Sequence, residues 1–140
     1  SLGTFDLNVN FDPAIFSFNK VDFGDQLDLF GLGSFQTTTP GPGSVNLFEL
    51  SLDPASALDA LQAASFILAT LTFDSIGLGT SSLSFENVIL GDSNGDPLVA
   101  DVSSGSVTVG SPVPEPATVL LLATGLGGLG FVRRRRILGI

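Results

Sequence analysis

Thr4-Phe5-Asp6-Leu7-Asn8-Val9-Asn10-Phe11 alternates apolar and polar side chains over four periods. A period of two belongs to a half-buried strand, here with Phe5, Leu7, Val9 and Phe11 inward. Asp12-Pro13 stops it. Ile15-Phe16-Ser17-Phe18 and Val21-Asp22-Phe23 predict a second strand with a break at Asn19-Lys20. Gly24 to Gly33 is acidic and punctuated by glycine. Ser34 to Thr38 predicts a short strand, and Thr39-Pro40-Gly41-Pro42-Gly43 a turn or loop. Val45 to Leu52 alternates again, but the pattern leaves open which set faces inward: Val45, Leu47 and Glu49, or Asn46, Phe48 and Leu50.

Asp53-Pro54 opens the one helical stretch before the tail. Asp53 is a candidate N-cap with Pro54 in the first turn, and Ala55 to Ala64 is rich in alanine and leucine. Phe66 to Phe73 predicts a continuous apolar strand, and Gly77 and Gly79 bracket a turn. Leu83 to Leu90, Leu98 to Val102 and Ser106 to Val109 predict three more strands. Short strands separated by Gly, Pro, Asp and Asn turns indicate a mostly β protein, an antiparallel β-sandwich, over residues 1–109.

Beyond residue 109 the pattern changes. Residues 110–116 form a linker ending in Val113-Pro114-Glu115-Pro116. Ala117 to Val132 contains no charged residue and only Thr118 and Thr124 among polar ones, and Arg133, Arg134, Arg135 and Arg136 follow. As a helix this run is about 24 Å long, against a hydrocarbon core of about 30 Å; snorkelling arginines and local thinning cover the shortfall. Four consecutive arginines would need counter-charges inside a protein, and no Asp or Glu follows Glu115. Residues 117–140 therefore read as a transmembrane helix with an arginine-rich cytoplasmic tail. The arginine block retains its own end in the cytoplasm and places the preceding domain across the membrane. A secretory leader would carry its positive residues first, and a lipid-transferred tail would end without arginines.

Val-Pro-Glu-Pro, a short Gly/Leu/Ala span and an arginine cluster, in that order, resemble the PEP-CTERM sorting signal of Gram-negative bacteria over roughly residues 111–136. The resemblance implies an exported protein held in the inner membrane with its N-terminal domain periplasmic. An exosortase-type enzyme would then act near Pro114, Glu115 and Pro116. Release or attachment at the cell surface or in the extracellular matrix, alongside exopolysaccharide, would follow.

Composition narrows the function. All 14 acidic residues precede Ala117, against a single lysine, Lys20. A domain this acidic repels nucleic acid and anionic polymers and tolerates calcium. There is no cysteine, so no disulfide supports the fold. Histidine is absent too, so base-activated nucleophiles and most transition-metal sites are unavailable. Paired carboxylates could in principle hydrolyse glycosides, but acids on turns are the usual surface of an exported sandwich, and the chain reads as no enzyme. The 12 phenylalanines, at alternating strand positions, read as core. Without Trp or Tyr, sugar stacking with a polar handle is missing. The absent initiator methionine and leader lead to the expectation that Ser1 is not the natural start.

The order of the β segments is similar to a cohesin-type domain of the carbohydrate-binding-module superfamily, a jelly roll. The residues that carry this resemblance are Thr4 to Pro13, a strand closing on Asp-Pro; Phe66 to Phe73, a central strand; and Leu83 to Val109, with Asp92-Ser93-Asn94-Gly95-Asp96 as the penultimate hairpin. It implies docking of a dockerin-like protein or, as in relatives of the superfamily, binding of polysaccharide. It also implies one or two strands before the first one here.

Asp92, Asn94 and Asp96 have the alternation that sets oxygen ligands on one side of a calcium loop. Pro97 stands where such a loop has its glycine, and Ser103 where it has a bidentate glutamate. The alternative is an Asn-Gly hairpin turn. Asp22, Asp25 and Asp28 form a second candidate acidic cluster, with a solvated loop as the alternative.

Overall fold

A computed structural model of the chain describes residues 1–112. Within them run β1 (Leu2–Asn10), β2 (Phe16–Phe23), β3 (Ser34–Gly41), β4 (Ser44–Ser51), α1 (Ala55–Leu61), β5 (Ala69–Ser75), β6 (Gly79–Asp92), β7 (Pro97–Leu98) and β8 (Gly105–Val109). The larger sheet has the order β3-β4-β1-β6-β7, with β8 also paired to β6. The smaller one is β2-β5, and every pairing is antiparallel.

β1 sits in the middle of the large sheet and shows the expected alternation, with Phe5, Leu7 and Val9 buried and the residues between them half-buried. Register settles the face of β4. Phe5 stands opposite Glu49, Leu7 opposite Leu47 and Val9 opposite Val45, so these three face inward and Asn46, Phe48 and Leu50 outward. Glu49 is 1% exposed. Its Oε1 accepts hydrogen bonds from Ser34 Oγ (2.6 Å) and Gln36 Nε2 (2.9 Å), which lets a carboxyl occupy an inward position.

The main core joins Phe5, Leu7, Val9, Leu27, Val45 and Leu47 to the inward residues Phe18, Val21, Phe23, Ala69 and Leu71 of the small sheet. The expected break in β2 is a shift of register between Phe18 and Lys20 inside one continuous strand. Its cause is spacing. Phe18 and Val21 are three residues apart, so strict alternation would send one of them to solvent, and one extra residue returns both to the core. β6 solves the same problem between Phe85 and Val88. There the register against β1 shifts between Asp6 and Asn8, and Asn87 adopts a left-handed φ of 52°.

Several elements differ from the sequence expectation. β3 runs on through Thr39, Pro40 and Gly41, because an edge strand tolerates a residue without an N–H. The central strand begins at Ala69 rather than Phe66, since β2 ends opposite it at Phe23. Beyond that point only Gly24 N–H bonds Leu68 O, at 2.7 Å. Of the strand expected over Leu98 to Val102, only Leu98 belongs to one, the two-residue β7. β6 offers it only Leu90 and Gly91, and Val99 is fully exposed.

Asp53 does not cap α1. Pro54 occupies the N-cap, no side chain bonds there, and the helix ends at Leu61. The Asp53 carboxylate instead accepts the N–H groups of Leu29 (2.6 Å) and Phe30 (3.1 Å), pinning the loop after β2. Gln62 leaves the helix because its side chain bonds both the N–H and the carbonyl of Leu2, at 2.6 and 2.8 Å.

Candidate functional site

The outer face of the large sheet is built by the polar half of the alternation. Cross-strand register places Thr37, Phe48, Asp6 and Ile89 in one row and Thr39, Asn46, Asn8 and Glu86 in the next. Phe35, Leu50 and Thr4 form a third row. At the centre, Asn46 Nδ2 donates to Asp6 Oδ1 (2.7 Å) and to Asn8 Oδ1 (2.8 Å), so one amide holds two side chains of the neighbouring strand.

Apolar side chains lie toward one side of this polar centre, Phe48 and Ile89 in the row of Asp6 and Phe35 and Leu50 in the row beyond, while Thr39 and Glu86 flank Asn46 and Asn8. Phe35 is 59% exposed and Ile89 64% exposed, and Leu50 is also exposed. Phe35 packs edge-on against Phe48, ring centroids 6.2 Å apart. A patch of this composition, spread over the edge strand β3 and the inner strands β4, β1 and β6, is suited to a protein surface. Its apolar side chains can be desolvated on contact, while the carboxylate and amides give direction. None of these residues was singled out by the sequence as a site. The signal was present in the same alternation, since Asn46, Phe48 and Leu50 had to face outward once Val45 and Leu47 faced in.

The candidate calcium segment forms the β6–β7 turn. Asp92 Oδ1 accepts the N–H groups of Asn94 (2.8 Å) and Asp96 (2.9 Å), and Asp92 N–H bonds Asp96 O at 2.8 Å. Gly95 supplies the left-handed φ of 93°. The hairpin-turn alternative accounts for these bonds, and Asn94 and Asp96 are exposed. No group of three or more His, Cys, Asp or Glu residues that could hold a metal stands together among the described residues. Asp22 pairs with Lys20 at 2.7 Å. Asp28 Oδ1 accepts Gly33 N–H at 2.7 Å, and Asp25 Oδ1 accepts from Gln26 Nε2 at 3.0 Å. The three carboxylates thus have separate partners.

Asp59, on α1, accepts hydrogen bonds from the hydroxyls of Ser1 and Ser93, the latter at 2.8 Å. These two bonds hold its carboxyl below the ordinary aspartate range, the Ser1 bond contributing most. Pro114, Glu115, Pro116 and Arg133 to Arg136 lie outside the described residues, as does the apolar run between them. Among the described residues no helix is long and apolar enough to cross a membrane.

The described residues thus form an antiparallel two-sheet β protein whose larger sheet has one open face of mixed apolar and polar side chains. Comparison with solved structures specifies the fold further. The sixth cohesin of Acetivibrio cellulolyticus scaffoldin B, solved in complex with a mutant Cel5 dockerin, is similar at 20% identity and a TM-score of 0.61, with 79% of each chain covered. CaCohA2 of Clostridium acetobutylicum is similar at 23% identity and a TM-score of 0.60, over 81% of this chain and 75% of that one. A non-cellulosomal cohesin of the archaeon Archaeoglobus fulgidus is similar at 13% identity and a TM-score of 0.62, over 85% and 77%. The PEP-CTERM protein-sorting motif matches residues 112–136. No curated protein matches the chain. This is a PEP-CTERM protein with a cohesin-like domain. The motif indicates export and cell-surface sorting.

Proposed function

We propose that this chain is a non-enzymatic surface or matrix protein whose cohesin-like sandwich docks a dockerin-like protein on the outer face of β3-β4-β1-β6. The observation that carries this reading is the Asp6–Asn46–Asn8 network beside the apolar side chains of Phe35, Phe48, Leu50 and Ile89 on one open face. The dockerin bound to the scaffoldin B cohesin supports the class of partner.

In this reading residues 117–132 cross the inner membrane as a helix. Arg133 to Arg136 remain cytoplasmic and residues 1–109 are periplasmic, joined through the linker 110–116. An exosortase-type enzyme acts near Pro114-Glu115-Pro116, and the domain passes to the cell surface or matrix.

Pulldown against dockerin-type modules, run beside a glycan array with and without chelator, tests the docking. Retention of a dockerin-type module by the wild type and its loss in Asp6→Ala and Ile89→Asp are expected. Binding to glycans alone would reject it. The sorting half is tested separately by following surface delivery of a variant with Arg133 to Arg136 replaced by alanine. Retention or mis-sorting is expected, and unchanged delivery would count against it.

A further inference from the structure

A pocket of about 200 Å³ opens where β1 begins, β4 ends and the β6–β7 turn crosses. Gly3, Ser51, Asp53, Asp92 and Asn94 are among its lining residues. The turn is held close. Ser93 Oγ donates to Asp59 Oδ1 of α1 at 2.8 Å, and an added Cβ on Gly3 would run into the carbonyl oxygen of Asp92. Two carboxylates from distant parts of the chain, Asp53 and Asp92, thus border one small space.

Each carboxylate commits one oxygen and leaves the other. Asp53 is 8% exposed. Its Oδ2 accepts the N–H groups of Leu29 and Phe30, neither of which lines the pocket. Its Oδ1 is buried with no hydrogen-bond partner. With the loop on one side of the carboxyl, the pocket is what remains for Oδ1. A carboxylate oxygen left bare in the interior costs free energy until water or a cation meets it. On the other wall, Asp92 Oδ1 is taken by the N–H groups of Asn94 and Asp96. Its Oδ2 and the Asn94 side chain make no hydrogen bond among the described residues. No basic side chain answers this charge: Lys20 is the only lysine or arginine of residues 1–112, and it pairs with Asp22. Oxygen donors, two negative charges and no counter-charge from the protein select a hard cation.

We infer that this pocket is a calcium site, in which Asp53 Oδ1, Asp92 Oδ2 and the Asn94 side-chain oxygen bind the ion and water completes its shell of about 6–8 oxygens. Asp96 is not a ligand, because it does not line the pocket. The site is therefore not the Asp92, Asn94, Asp96 loop that the sequence suggests; Asp53, from the β4–α1 junction, takes the third place. Two carboxylates fall short of a three-acid cluster. That sets the affinity at the weak end of calcium sites, a Kd of about 10⁻⁴–10⁻³ M as in extracellular modules. The range suits the export that the sorting motif indicates. Bound there, the ion ties the β6–β7 turn to the β4–α1 junction. No docking partner enters the inference, so it and the proposed function are tested apart.

The full chain, freed of metal with chelator, is titrated with calcium chloride and with magnesium chloride and followed by calorimetry and thermal unfolding. Calcium is expected to bind in the range above, and about 10 mM of it to favour the folded state by about 10–100-fold. Magnesium, which demands a tighter octahedral shell, should bind more weakly. Asp53→Asn and Asp92→Asn each keep an oxygen for the backbone N–H groups they serve, and each should lose at least about tenfold in affinity. Asn94→Ala, at an exposed position, should also weaken binding and covers the case that a buried variant does not fold. Asp96→Asn should bind as the wild type does. Neither heat nor a calcium-induced shift in the wild type would overturn the inference and leave water as the partner of Asp53 Oδ1. Undiminished binding by Asp53→Asn, or a loss in Asp96→Asn, would overturn it in favour of the turn alone. Undiminished binding by Asp92→Asn or Asn94→Ala would overturn it in favour of diffuse attraction to an acidic surface.

Discussion

Asn46 and Asp6 meet diagonally across β4 and β1, one row apart, with Asn46 Nδ2 donating to Asp6 Oδ1 at 2.7 Å. The second amide hydrogen is spent on Asn8 Oδ1 at 2.8 Å. The carboxylate keeps its other oxygen for a partner, and its position is held before any partner arrives. Preorganisation of this kind lowers the entropy lost on docking. Asp6→Ala is expected to weaken binding of a dockerin-type module by at least about tenfold, or about 1.4 kcal/mol. The urea midpoint should move little, because the residue is on the open face. Calorimetric titration beside urea unfolding measures both; a large loss of stability with unchanged affinity would count against the docking face.

The two faces of the sheet predict opposite outcomes for the same kind of truncation. Phe5 is 1% exposed and packs with its ring centroid 6.2 Å from that of Phe23. Phe5→Ala should cost about 3–5 kcal/mol, a large part of the stability of a domain this size. Phe35→Ala, at a position 59% exposed, should stay within about 1 kcal/mol while reducing partner affinity. Urea unfolding of both variants gives the contrast, and similar costs would contradict the assignment of inner and outer faces.

Gly24 passes close under the chain of Ile67, where an added Cβ would run into the Ile67 carbonyl oxygen. The obstacle is backbone and has little freedom to yield. Gly24→Ala should therefore destabilise by more than the roughly 1 kcal/mol expected for Gly31→Ala. Gly31 has open space but a left-handed φ of 73°. Thermal unfolding of the pair orders the two costs, and the reverse order would show that the approach is looser than described.

Asp53 is a buried carboxylate that ties Leu29 and Phe30 to the strand–helix junction. Asp53→Ala removes two charge-assisted bonds to backbone N–H groups and should cost about 1.5–3 kcal/mol. Amide exchange should accelerate at Leu29 and Phe30 first. Faster exchange at α1 alone would instead indicate that Asp53 acts as the helix cap.

Asp59 predicts a pH effect of definite sign. Its folded pKa is lowered by the Ser1 and Ser93 hydroxyls. The stability it contributes is thus fully present above the unfolded aspartate pKa, about 3.9, and is lost as pH falls through the folded value. Ser93→Ala should raise the Asp59 pKa toward the ordinary range, read by NMR of its carboxyl carbon. An unchanged titration would show that the 2.8 Å bond does not persist in solution.

Much of this could be read along the chain. The alternation from Phe5 to Phe11 marked β1 and its inward residues, and the odd spacing from Phe18 to Val21 marked the irregularity in β2. Val-Pro-Glu-Pro with its apolar run and arginines marked the sorting motif. What escaped depended on residues far apart. Asp53 next to Pro54 has the local look of a helix cap, but Leu29 and Phe30, more than twenty positions earlier, take its carboxylate. Leu98 to Val102 has the composition of a strand, yet a strand needs a partner's backbone, and β6 provides two residues.

The chain alone determined which side chains share a face within each strand, because a period of two is a property of local backbone geometry. It also determined the charge asymmetry and the order of the tail. Only the folded arrangement decided that Asp6, Asn8, Asn46, Phe48, Phe35 and Ile89 meet on one surface. They come from four strands, and cross-strand register, corrected by the extra residue at Asn87, is set by long-range pairing that no local pattern records.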